Sequence, residues 1–244
     1  MSPSATAINS ATKVMPSPSS VNTPAFWERL WRTSGMQFAV LLVITCVIYG
    51  SQPGVGVASD TIASFYTGDR TRILIAAVFA GLNILNLMWF AAALRTTLAD
   101  AGQDGWGAAA TASSAAFGGL YLLFVSIVAA LAYSIAGSGN NALTSGLHDF
   151  SWALIVLSSF PRAMLIMAGT FGLWRAGLIS NALFGAGVAA VVLGVLGGTT
   201  WLNAGVWAPD GVYSRFIFPM VGIVWIALVT RVLLAQKPAA RTAW

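Results

Sequence analysis

Charge is what this sequence has least of. Charged residues make up 8% of the 244 positions, seven acids against twelve Lys and Arg, where a soluble domain carries about 25%. That is too little polar surface to coat a water-soluble globule. Histidine and cysteine are nearly absent as well, one of each, His148 and Cys46. A lone histidine excludes a bis-histidine haem or a His-rich metal site within one chain. A lone cysteine excludes an internal disulfide, and Cys46, set inside an apolar run, reads as a small packing residue. Nucleophile-elbow, zinc-protease, phosphate-loop, dinucleotide and CxxC signatures are all missing. No serine has an acid–base partner at local spacing. No cofactor is expected, and whether the chain is an enzyme stays open, with a non-enzymatic role favoured.

What is there is apolar: 57% hydrophobic residues and a mean hydropathy of +0.79. Runs of about 20 apolar residues recur, each long enough to cross a bilayer as a helix, without the alternation of barrel strands. The expected fold is all-α, a polytopic integral membrane protein with a bundle of six transmembrane helices over residues 35–236. Residues 1–34 read as a disordered cytoplasmic tail, too poor in apolar side chains to offset its ordering entropy. The tail ends in PAFWERLWR, which suits a short interfacial helix, and residues 237–244 form a second cytoplasmic tail. The first span starts near Gly35 and is short. SQPGVGV after it either extends it or loops, and Ser59 and Asp60 then cap a short helix through TIASFYTGD. The remaining spans fall at about 71–94, 106–136, 147–175, 179–202 and 213–234. Gly194 and Gly198 in the fifth form a small-xxx-small pattern suited to a close helix crossing. Trp27, Trp31, Trp106, Trp152, Trp174, Trp201 and Trp207 sit near span ends as an interfacial belt, whereas Trp89 and Trp225 are expected inside the bundle.

The excess of five positive charges is scattered over span ends, which speaks for topology and lipid contact rather than nucleic acid. With both termini in the cytoplasm, Lys13, Arg29, Arg32, Arg95, Arg175, Arg231, Lys237 and Arg241 lie inside. Arg70, Arg72 and Arg215 lie outside, and Arg162 lies within the membrane. The positive-inside rule favours this orientation, in what would be a bacterial cytoplasmic (inner) membrane.

The runs FYTGDRTRILIAA, residues 65–77, and HDFSWALIVLSSFP, residues 148–161, carry a resemblance. With Phe65 and Tyr66 before Arg70 and Arg72, Asp149 opening the fourth span and Phe160–Pro161 at its middle, residues 58–235 resemble a family of uncharacterised bacterial six-span membrane proteins. The resemblance implies six helices and no known activity. Arg162 stands outside that pattern.

Two constellations carry the candidate sites. Arg162 follows Pro161 at mid-span, where charge is rare and turned toward a bundle interior or a cavity. At 100° per residue, Ser151, Ser158, Gly169 and His148 fall within about 40° of it and Ser159 within about 60°. No acid lies at its depth, so Asn83 or Tyr121 is expected among its neighbours, with Asn86 one turn from Asn83. Arg162, Asn83, Asn86, Tyr121, Ser158 and Ser159 thus form the candidate ligand site. The second constellation is an outer charged rim of Arg70, Arg72, His148, Asp149, Asp210 and Arg215, in which Arg70 or Arg72 is expected to pair with Asp149. His148 is expected there as a titrating group in a surface network. No metal site is expected in either.

Three functions compete. A non-enzymatic protein binding or passing a small or lipidic molecule predicts a cavity reaching Arg162. A structural or regulatory subunit predicts a filled bundle with a small-residue face for a second copy or a partner membrane subunit. A lipid-modifying enzyme predicts a side-opening pocket where His148 and Asp149 converge. The expected partners are the bilayer itself and such a ligand.

Overall fold

A computed structural model of the chain describes residues 30–236. The tail expected over 1–34 lies outside the described residues except for 30–34, and the tail over 237–244 lies wholly outside them. Among the described residues the secondary structure is helical, with no strand. The helices are α1 (Ser34–Tyr49), α2 (Ser59–Gly68), α3 (Arg70–Asp100), α4 (Asp104–Ala130), α5 (Asn141–Leu157), α6 (Ser159–Arg175), α7 (Asn181–Gly197) and α8 (Phe218–Ala235). α4 runs on through a π turn, Leu131–Ile135, and a 3-10 turn, Ala136–Ser138, and a second π turn, Tyr213–Ile217, leads into α8.

Caps mark the turns between helices. Gly139 takes φ +77° after α4. The Asn140 side chain then accepts from Leu143 N at 3.1 Å to open α5, and Ser180 Oγ accepts from Leu183 N at 3.3 Å to open α7. Both occupy one of the orphan donors of a helix start. α5 and α6 are one long segment broken at Ser158. Pro161 has no N–H to offer Leu157 O, which accounts for the break.

Four segments are long and apolar enough to cross a membrane: Arg70–Asp100, Asp104–Ser138, Asn141–Arg175 and Tyr213–Ala235. α1 and α7, at 16 and 17 residues, rise only about 24–26 Å, short of a hydrocarbon core of ~30 Å. By length and composition, then, four helices qualify to span a membrane where six were expected. Exposed Val47, Val78, Leu85 and Phe216 give the bundle the apolar exterior that lipid requires.

The interior holds two separate clusters. One, around Phe90, Leu94, Leu165, Trp225 and Ile226, joins α1, α3, α4, α6 and α8. The other, around Ile62, Tyr66, Ile73, Leu131 and Leu154, lies under α2 at the end that carries loop 50–58. At the opposite end, Arg32 Nη1 donates to Leu233 O (3.1 Å) and Gln236 O (2.6 Å). A cation there suits the negative end of α8.

α7 is a peripheral helix. Its buried residues are Gly187, Ala190, Gly194 and Gly197, all small. A Cβ on Gly194 would stand 2.8 Å from Ala163 Cβ and 3.2 Å from its Cα. The small stripe expected from the sequence therefore serves a crossing with α6 inside the chain. Two tryptophan expectations are corrected as well. Trp89 is 50% exposed on the outer surface, because its side of α3 faces away from the neighbouring helices. Trp152 is buried and not in an interfacial belt. Trp225 is buried as expected and donates to Thr170 Oγ1 at 2.9 Å.

Candidate functional site

A cavity of about 530 Å³ separates the two clusters, and Arg162 lines it. Its walls come from α1, α3, α4, α5, α6 and α8, with Gly50, Ser51 and Gln52 at the loop end and Trp225 and Ile226 at the other. From Arg215 to Ile226 it follows α8 for about 16 Å. The lining is largely apolar and contains no Asp or Glu. Val43 and Val47 on one flank and Phe216 and Met220 on the other both line the cavity and are exposed. The cavity thus opens sideways, between α1 and the start of α8. Cys46 lies on this wall and is exposed. The expectation of a packed thiol is corrected: its side of α1 meets the cavity and not a neighbouring helix.

Arg162 enters from the first turn of α6. Its guanidinium carbon sits 4.1 Å from the Phe218 ring centroid and 4.6 Å from that of Phe117. Gly222 leaves room beside it, since a Cβ there would come to 3.4 Å from Arg162 Cδ. Nη2 donates to Ser158 Oγ at 3.3 Å, and Nε is buried with no partner. The two rings explain how the charge is tolerated. A desolvated cation–π contact contributes about 2 kcal/mol, so two together are enough to offset the roughly 2.5–3.5 kcal/mol that a central arginine costs on insertion scales. The rings offset the charge but accept none of the remaining N–H bonds.

The expected ligand set divides. Arg162, Ser158 and Tyr121 share the cavity wall. Asn83, Asn86 and Ser159 are not on that wall. Asn83 is fully buried with both amide atoms unpartnered. Asn86 donates to Leu82 O at 3.0 Å, leaving Oδ1 unpartnered. Ser159 faces α7 at Gly197. Neither Asn83 nor Tyr121 hydrogen-bonds Arg162. Its observed contacts are Ser158 and two aromatic faces.

The outer rim divides too. Arg72 pairs with Asp69 at 2.6 Å, three residues back on the same chain, with both side chains well exposed, a geometry that contributes about 0–1 kcal/mol. Arg70 lies over the Tyr133 ring at 5.2 Å. Asp149 instead accepts from Gly56 N at 3.4 Å and, with Asp210, Trp152 and Trp201, lines a second recess of about 370 Å³. The expected pairing of Arg70 or Arg72 with Asp149 is therefore corrected: nearer partners satisfy all three.

His148 and Arg215 belong to a latch that sequence reasoning missed. His148 is fully buried rather than part of a surface network. Its Nε2 lies 3.2 Å from Gly54 O, and its Nδ1 3.1 Å from the Tyr66 hydroxyl and 3.5 Å from Gln52 Nε2. A carbonyl only accepts, so Nε2 carries the proton and Nδ1 accepts from Tyr66 and Gln52. Burial pushes the Tyr66 phenol above its ordinary range, keeping it a donor. Gln52 Nε2 also donates to Ser151 Oγ (2.9 Å), and Trp152 Nε1 to Pro53 O (3.0 Å). Arg215 donates from Nη1 to Ser51 Oγ (3.0 Å) and from Nη2 to Gln52 O (3.1 Å). Every residue from 51 to 54 is thereby tied down, and Ser51 and Gln52 close the loop end of the cavity.

No family model, curated protein or solved structure matches this chain. No group of three or more His, Cys, Asp or Glu able to hold a metal occurs among the described residues.

Proposed function

We propose that this chain is a six-span protein of a bacterial cytoplasmic membrane, both termini inside, that binds or passes a small or lipidic molecule without chemically altering it. The observation that carries the reading is the cavity of about 530 Å³, which reaches Arg162 and opens sideways between α1 and α8. A filled bundle would have favoured a structural subunit. A pocket joining His148 to Asp149 would have favoured an enzyme, but His148 is spent on the latch and Asp149 faces another recess. In the six-span arrangement α1 and α7 also cross, flanked by residues that continue them toward each face.

A single-chain amphiphile carrying a photoreactive diazirine tests the ligand reading in reconstituted membranes. Its cross-links are expected to concentrate on cavity residues such as Leu42, Cys46, Phe124 and Met220. Cross-links spread equally over Val192 and Leu196, exposed on α7, would mean that the cavity is not occupied.

A further inference from the structure

We propose that the ligand is an acidic single-chain amphiphile, which enters between α1 and α8 and sets its acid group, carboxylate or phosphate, on Arg162. The inference rests on the cavity-binding reading and names the class of molecule. Charge is the first observation. Two guanidiniums line the cavity, Arg162 and Arg215, and no carboxylate does. Phe218 and Gly222, which stand beside Arg162, lie three and seven residues along from Arg215, so the two cations are met at successive points of one wall.

Donor capacity decides between them. Arg215 spends both Nη atoms on loop 51–52 and has only a buried Nε left without a partner. Arg162 commits one Nη alone, in a 3.3 Å bond to Ser158, and its Nε too is buried without a partner. An arginine has five N–H donors and no acceptor, so Arg162 lacks an acceptor-rich group that no side chain on the wall supplies. The Tyr121 hydroxyl lines the same stretch and offers a further donor to an acid, whereas that of Ser158 is spent on Ile155 O at 2.7 Å. An acid taken out of water is stabilised only where a cation meets it, and Arg162 is the cation placed to do so.

Shape and lining supply the tail. Beyond Arg162 the wall is apolar along α1, α3 and α4, and the window at Val43, Val47, Phe216 and Met220 faces the lipid side. The volume falls in the usual range of about 300–1,000 Å³ for small-ligand pockets, which suits one chain rather than a two-chain phospholipid.

Cys46 supplies the test, being the sole cysteine and exposed on the cavity wall. Its rate of reaction with a maleimide is measured on the full chain in phosphatidylcholine nanodiscs. The probes are oleate and lysophosphatidate, the neutral monooleoylglycerol, and acetate or inorganic phosphate as heads without a chain. Oleate or lysophosphatidate is expected to protect Cys46 at concentrations about tenfold or more below monooleoylglycerol, the worth of one charge-assisted hydrogen bond. The free anions are expected to protect little. Arg162→Met, or Arg162→Gln, should erase the acid's advantage, with protection in each variant read against that variant's own unliganded rate. Where either variant fails to fold, the wild-type comparison of acid with neutral amphiphile decides alone. Equal protection by monooleoylglycerol, or an advantage that survives loss of Arg162, overturns the acid class and leaves cavity binding standing. Protection by free acetate or phosphate matching oleate overturns the amphiphile. No protection by any probe overturns both readings.

Discussion

Replacing His148 with alanine is expected to unlatch loop 51–54. The side chain is fully buried and serves three partners. Its removal leaves the Tyr66 hydroxyl without an acceptor and Gly54 O without a donor. Each orphaned buried group costs about 1–3 kcal/mol, so His148→Ala should destabilise by about 2–6 kcal/mol before the void left by the ring is counted. Tyr66→Phe alone should cost about 1–3 kcal/mol, since Nδ1 then keeps only the long contact to Gln52. The two losses share one bond and cannot add. In the His148→Ala background the Tyr66 hydroxyl is already orphaned, so deleting it should cost nothing or restore about 1 kcal/mol. Unfolding titrations of the four proteins in mixed micelles measure this coupling directly. Additive losses would refute the hydrogen-bonded latch and leave His148 as a space-filling residue.

Two further outcomes follow from other parts of the bundle. Gly194→Val should destabilise by about 1–3 kcal/mol through overpacking against Ala163, while Gly185→Val, on the same helix with nothing within 4 Å of its added Cβ, should be near neutral in the same titration; equal effects would contradict the α6–α7 crossing. With Cys46 replaced by alanine, a cysteine at Ser138 should react with a membrane-impermeant maleimide in intact cells and one at Asp100 should not, and the reverse pattern would invert the proposed orientation.

Much of the helical layout was legible because membrane helices advertise themselves by composition. The long apolar runs returned as α3, α4, α5–α6 and α8, and the short helix expected after the first span formed as α2, though Ala58 stands at its N-cap and neither Ser59 nor Asp60 caps it. Arg162 was legible as an anomaly for the same reason, a charge where solvation energy forbids one without compensation. What compensates it was not. Phe117 and Phe218 are apolar letters in apolar runs, and nothing in their spacing reveals two ring faces turned to one guanidinium. The latch was hidden for a different reason. Gln52, Tyr66, His148, Trp152 and Arg215 come from five places in the chain, and periodicity reads only neighbours along one helix. Angular placement grouped His148 and Ser151 with Arg162, but the break at Ser158 separates that stripe into two sites. Gly194 shows the limit from the other side: small-residue spacing announces a close crossing without saying with what.

That break makes the long segment modular. His148, Ser151 and Trp152 ride on α5, and Arg162 rides on α6, with Ser158 as the joint between them. Closure of the cavity's end and recognition at its middle are written on one stretch of chain but on two rods, so a substitution that retunes one need not be transmitted through an unbroken helix to the other. Selection can alter the affinity of the site without loosening its plug, and can alter the plug without moving the guanidinium from between its rings.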